Sequence, residues 1–465
     1  MSALQELKVI DRELSILNGI SALLGWDKET ILPPQAVTDR GEHLSYISKT
    51  IHEKLTSPHL FKIIQSLSKQ KLSAIDTAIV KKYHREITKA RKIPTKHVEE
   101  FARLTTHSYD AWVRARKEKK FSIFAPYLHK VIEMRKKEAT YINPKEHPYN
   151  VLLDQFEEGM TIDELDPVFL QLKDELPRLI KAIQQSPRYK NQKPCLGTLS
   201  FPLEGQQKAN LDVATFILGK NERTHIGTSP HPFMTRISFD DVRLSTAVRE
   251  GQPLFSFTSV AHESGHALYE LGISPKIKDT ILCTGASTAL HESQSRLWEN
   301  QVCSSKHFWK YYYSHYQKIF PSLQETSFDE FYFQSNLVEP SLIRIESDEA
   351  TYCLHIIIRY ELERALLEGK IKIQDLPKLW NAKYQEYLGV TPKNDAEGVL
   401  QDVHWSDGSM GYFPTYAIGT IYSAMLYRVM LEKHNIKKDL DHGDPQFIKD
   451  WLQKNIHQHG SMYLA

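Results

Sequence analysis

His262-Glu263-Ser264-Gly265-His266 is a pentapeptide whose residue types and spacing suit hydrolysis. Two histidines four apart on a helix lie one turn apart on one face, so both imidazoles can reach one metal ion. The glutamate between them sits beside that ion, where it can take a proton from water. With 21 histidines in 465 residues, about 0.05 copies of H-E-x-x-H are expected by chance. The pattern therefore points to a metal-dependent hydrolase.

Such a site needs a helix under the histidines. Phe257, Val260, Ala261, Ser264, Leu268 and Leu271 fall near one face of a 3.6-residue period and the two histidines toward the other. It also needs a third protein ligand and an open position for water. Glu270 follows by one turn, but positions 262, 266 and 270 span about 12 Å at a rise of about 1.5 Å per residue. One ion with bonds near 2 Å cannot collect all three. The third ligand must come from a second helix, and the segment from Leu290 to Arg296 offers His291, Glu292 and, further on, Glu299. Spacing alone leaves these open.

The elements that must position this centre read as mainly helical. Leu4, Leu7, Ile10, Leu14, Leu17 and Leu24 mark an amphipathic helix that ends before Pro33-Pro34. Helical patterns continue through about 38–70, 74–92, 95–118 and 123–141. Thr161-Ile162-Asp163-Glu164 offers a capping box. Between 220 and 248 the texture changes, and Met234 to Phe239 and Val242 to Thr246 alternate like short strands. A small sheet beside the zinc helix is expected, and its edge could bind an extended peptide by strand addition.

Composition narrows the class. Apolar content of 41% and charged content of 25% are those of an ordinary globular protein. A net charge of +2 without a one-sided basic stripe speaks against nucleic acid. The apolar stretches around Ile356-Ile357-Ile358 and from Tyr416 to Leu426 are too short to span a bilayer. Four scattered cysteines and no basic-then-apolar start suggest reduced thiols and a cytoplasmic location.

Motifs along most of the chain carry a resemblance. Trp26-Asp27-Lys28-Glu29-Thr30 with Pro33 and Arg40, His231-Pro232-Phe233, Asp241-Val242-Arg243-Leu244-Ser245, His291-Glu292-Ser293-Gln294, Ile343-Arg344-Ile345-Glu346-Ser347-Asp348, and Gly398 to Trp405 stand in the order of one family's motifs. On these the chain resembles the thermostable (Taq-type) metallocarboxypeptidases, helical zinc peptidases. Ser245 and Ser347 depart from that family's Thr and Ala.

The resemblance selects Glu292 as third ligand beside His262 and His266. It implies a mainly α, large helical zinc-peptidase fold with a deep substrate groove. It also implies one catalytic domain over 1–465, with 1–200 as a mostly helical groove wall and 201–465 carrying the metal site and substrate motifs. The expected protein is a homodimer with one zinc per subunit, replaceable by cobalt or manganese. It acts on peptides and removes single C-terminal residues with broad specificity. Glu263 then serves as general base. His231, His404 and Tyr416 are candidate oxyanion donors, with Tyr412 a rival to Tyr416. Arg344, with Tyr416, is the candidate for the substrate carboxylate, because a guanidinium fork matches that planar anion. Its local alternative is an ion pair with Glu346, Asp348 or Glu349. Asp402 or Asp348 could orient a metal-bound histidine.

Overall fold

The computed structural model describes residues 1–192, 196–229 and 231–465, so Cys195 and Pro230 lie outside the described residues. Helices dominate, joined by one three-stranded sheet. The chain divides into two compact units, Met1–Arg91 with Pro194–Ser335 and Gly419–Ala465, and Lys92–Lys193 with Asn336–Ile418.

The first unit holds the H-E-x-x-H helix, Pro253–Leu271, here called the metal helix. Pro253 suits its first turn, where no backbone N–H partner is needed. Phe257, Val260 and Ala261 of this helix pack with Val242, Leu244, Trp298 and Phe308, each at most 1% exposed. Burial of each large side chain there contributes roughly 1.5–3 kcal/mol. A second core gathers Leu7 and Leu14 of the N-terminal helix, Ala3–Thr30, with Leu60, Ile64, Val80 and Tyr83.

The sheet lies beside the metal helix, as expected. Its strands are β1, Thr224–Thr228, β2, Phe233–Ser238, and β3, Asp241–Thr246, in the order β1-β3-β2. β2 and β3 are antiparallel, with a register irregularity between Arg236 and Ser238. β1 adds a parallel partner on the other side of β3, which strand alternation alone did not reveal. The family departure Ser245 is fully buried, and its hydroxyl meets Ser229 Oγ at 2.7 Å and accepts from Phe233 N at 3.2 Å. It thus ties the D-x-R-x-S strand to the H-P-F turn.

The pattern over 38–70 proves to be two helices, Val37–Leu55 and Pro58–Leu67. Ser57 caps the second by accepting from Leu60 N, and Pro58 opens its first turn. Apolar spacing runs through the break, but proline cannot continue the preceding backbone hydrogen bonds.

Asp11 anchors the N-terminal helix. One carboxylate oxygen accepts from Tyr83 Oη at 2.7 Å and Ile281 N at 2.8 Å. The other is buried without a partner. Burial pushes this carboxyl up from 3.8 to about 6, against the pull of those two donors. The folded state therefore holds the proton more tightly than the unfolded chain. Its stabilisation is complete below about pH 4 and is lost as pH rises through about 6, amounting to about 3 kcal/mol at most. In Asp11→Asn the unfolding free energy should lose its fall across that window in denaturant titrations. An unchanged slope would assign the pH dependence elsewhere.

In the second unit, the helix Glu349–Leu367 is buried on nearly all sides. This is why the Ile356-Ile357-Ile358 run is apolar without being a membrane segment; no helix among the described residues is long and apolar enough to cross a membrane. Glu164 accepts from Thr161 N at 2.9 Å at the start of the helix Ile162–Gln185, as the capping signal predicts.

Candidate metal centre

His262 and His266 stand one turn apart on the metal helix, ring centroids 5.0 Å apart and nearly perpendicular. The second helix, Thr288–Arg296, is capped by Ser287, whose hydroxyl accepts from Leu290 N at 3.1 Å. It presents Glu292 to both histidines. Glu292 Oε2 lies 3.5 Å from His262 Nε2 and 3.3 Å from His266 Nε2. Ligand bonds of 2.0–2.1 Å in a tetrahedron put neighbouring donors about 3.4 Å apart. The two histidines and Glu292 therefore fit three corners around one ion, with the fourth left for water. They are the one such group among the described residues. Two imidazoles and a carboxylate suit zinc, and also cobalt or manganese.

The surroundings set the charges. Burial opposes ionisation of Glu292, but His262 and Arg296 beside it hold its carboxyl well below the ordinary value. Arg296 Nε donates to Glu292 Oε1 at 2.8 Å, and Ser295 Oγ donates to Oε2 at 3.0 Å. Glu299 stands behind His262: its Oε2 lies 2.8 Å from His262 Nδ1 and accepts from Arg296 at 3.2 Å. Residues 292, 296 and 299 follow i, i+4, i+7 spacing, so this face was readable in the sequence. The chain runs on there through a π-helical stretch, Leu297–Cys303. Glu263 is buried between His262 and His266, and burial pushes its carboxyl up to about 7. Glu270 stands outside the His262–His266–Glu292 group and contacts His291 and Arg236.

Arg344 lies in the second unit and is 5% exposed. It bypasses the neighbouring acids. Its Nε donates to Asp402 Oδ1 at 2.9 Å, its Nη1 to Tyr352 Oη at 3.0 Å, and its backbone N to Gln401 Oε1 at 2.9 Å. The local alternative, an ion pair with Glu346, Asp348 or Glu349, is not the one the fold forms. Asp348 caps the following helix, accepting from Ala350 N at 2.9 Å and Thr351 N at 3.0 Å, a geometry only a residue at that N-cap can reach. Asp402 is also reassigned. It accepts from Arg344 and, at 2.6 Å, from Arg359, so its lone pairs serve two guanidiniums rather than a histidine. Arg359 is fully buried and was missed by sequence reading, because it sits inside an apolar helical run.

His404 and Trp405 part ways. The Trp405 indole is buried and donates to Glu363 Oε1 at 2.8 Å. His404 is half-buried, with Nε2 3.3 Å from Tyr416 Oη. The Arg344 guanidinium lies 4.9 Å from the Tyr416 ring centroid. Tyr412 meets Phe156 edge to face at 5.0 Å and also packs on His404 and Tyr416, with ring centroids 5.4 and 5.3 Å away. Ser347, the second family departure, donates to the Arg344 carbonyl at 2.6 Å. His231 sits exposed on the turn before β2, its carbonyl accepting from Ser229 Oγ at 2.6 Å.

Residues 6–465 match the profile of the family described as carboxypeptidase Taq (M32) metallopeptidase. The chain is 39% identical over 445 residues to Carboxypeptidase 1 of Bacillus subtilis (strain 168), covering 94% of this chain and 88% of that one. It is 34% identical over 463 residues to Thermostable carboxypeptidase 1 of Pyrococcus furiosus, covering 97% and 91%. Among solved structures, the M32 carboxypeptidase from Deinococcus radiodurans R1 superposes with a TM-score of 0.96 at 34% identity, covering 100% of this chain and 94% of that one.

Proposed function

Because the chain belongs to the carboxypeptidase Taq (M32) family of metallopeptidases, we propose that it is a zinc carboxypeptidase releasing single residues from peptide C-termini with broad specificity. The observation that carries this reading is the spacing of His262 Nε2, His266 Nε2 and Glu292 Oε2, with Glu263 buried beside them. Those three residues would hold the ion. When bound, it supplies Lewis-acid polarisation of the scissile carbonyl and acidification of water. Glu263 takes the proton of the attacking water and delivers it to the leaving amine nitrogen. His404 and Tyr416, which share a hydrogen bond, and His231 are the donors proposed for the oxyanion.

Arg344 is the proposed anchor for the substrate's terminal carboxylate. Its support is a charge imbalance: Arg344 and Arg359, both buried, share the single carboxylate of Asp402. Another buried carboxyl, Glu363, feels Arg359 but is pushed up to about 7 by burial, so a substrate carboxylate would supply the second full negative charge. Within this reading the chain, 1–465, acts as one catalytic domain. It works as a homodimer with one zinc per subunit, which cobalt or manganese can replace. The location proposed is the cytoplasm, in keeping with the free thiols of Cys283 and Cys303.

Matched peptides with a free or amidated C-terminus test the reading. Wild-type protein should cleave the acid about 100-fold better than the amide, the scale of losing one charge-assisted pair. Arg344→Gln should lose most of that preference by slowing the acid alone. Equal cleavage of acid and amide by the wild type would favour an oligopeptidase and sink the carboxypeptidase assignment. An intact preference in Arg344→Gln would remove Arg344 as the anchor.

A further inference from the structure

His291 belongs to the same motif as Glu292, yet the mechanism above gives it no task. It is not placed as a ligand: its Nδ1 lies 2.6 Å from His266 Nδ1, on the side of that ring away from Glu292. A histidine that offers Nε2 as a lone pair to a metal carries its proton on Nδ1. His266 is therefore the donor in this contact, and His291 Nδ1 must accept. A neutral His291 then carries its own proton on Nε2. That nitrogen lies 3.0 Å from Glu270 Oε1, which can only accept when ionised. Arg236 Nε stands 3.2 Å from the other oxygen, Glu270 Oε2, and keeps the charge in place. Every proton in the chain His266–His291–Glu270–Arg236 has one consistent position.

The surroundings hold the His291 ring where this requires. The Tyr269 ring packs on it at 5.2 Å, and Tyr269 stacks in turn on buried His457 at 5.0 Å. Gly285 closes the other side. A Cβ there would stand 2.7 Å from His291 Cδ2, so a side chain would push the imidazole off His266.

We infer that His291 is a positioning residue of the metal centre: it accepts the Nδ1 proton of His266, and Glu270, held by Arg236, locks it in the accepting tautomer. The inference rests on the metal-centre reading and deepens it. The two histidine ligands are thereby oriented differently. His262 reaches a carboxylate, Glu299, directly at 2.8 Å. His266 reaches one only through an intervening imidazole. This gives Glu270 a part in metal binding although it lies too far along the helix to be a ligand.

Zinc affinity, read by competition with a chromophoric chelator, tests this, with thermal melting of the metal-free protein as a folding control. His291→Phe removes the acceptor and should weaken zinc binding about 10- to 100-fold. His291→Gln restores an acceptor oxygen and should recover most of that loss. Glu270→Gln, which leaves one accepting oxygen, should fall between them. Wild-type affinity in His291→Phe would overturn the inference. So would equal losses in the Phe and Gln variants with unchanged melting, because packing and not acceptance would then matter. Failure of the wild type itself to bind zinc would instead strike the metal-centre reading.

Discussion

Replacing Glu263 with glutamine is expected to lower kcat about a thousandfold while the protein keeps one metal ion per chain. The carboxylate is 7% exposed on the metal helix between His262 and His266. Glutamine matches its shape, so the helix and the ligands have no reason to move. It cannot take a proton from water, and general-base contributions of this kind are worth about 10²–10⁴ in rate. A thousandfold corresponds to about 4 kcal/mol of barrier. Single-turnover release of the C-terminal residue, with metal analysis of the same sample, separates the two effects. Release at the wild-type rate would take Glu263 out of the mechanism. Loss of metal together with activity would show that Glu263 acts on the ligands rather than on water.

The centre was legible in the sequence because its chemistry is local. H-E-x-x-H puts both proposed ligands and the proposed base within five residues, and a helix is enough to arrange them. The third ligand was less so: spacing left His291, Glu292 and Glu299 open, and only the motif resemblance selected Glu292. The structure gives those three acidic or imidazole groups distinct tasks, since Glu299 meets His262 and His291 meets His266 through Nδ1 atoms. Which side of an imidazole a neighbour approaches is set by packing between helices, and no spacing rule carries it. The same holds for Arg344. Its local alternatives were acids two to five residues away, whereas the fold brings Asp402 from 58 positions along the chain. β1 escaped notice because its pairing with β3 is parallel, so its partner gives no adjacent hairpin signal. The break at Ser57-Pro58 was readable, since a Ser cap before a first-turn proline is a start signal, but continuous apolar periodicity masked it.

Gly265→Ala should disrupt the centre without altering a single ligand. Gly265 is the last residue before His266 and lies where the metal helix crosses the helix that carries Glu292. A Cβ at this position would stand 2.5 Å from the carbonyl oxygen of Gln294 and 2.7 Å from Ser295 Cα. Both are backbone atoms, so no rotamer change relieves the clash. The helices must separate by about 1 Å, while metal–ligand distances tolerate only about 0.2 Å. Glu292 lies two residues from Gln294 and moves with it. Zinc affinity should drop by at least about 10-fold, and the overpacked contact should cost about 1–3 kcal/mol of stability. The sign is diagnostic. Helix propensity alone predicts that glycine to alanine in a helix stabilises by about 1 kcal/mol. Gly41→Ala supplies that baseline, because Gly41 sits in the helix Val37–Leu55 with nothing within 4 Å of an added Cβ. Melting of both metal-free variants should therefore move in opposite directions, Gly41→Ala up and Gly265→Ala down, with zinc affinity changed only in the second. If both rose and zinc still bound as in the wild type, the close helix crossing could not be what holds Glu292 against the two histidines.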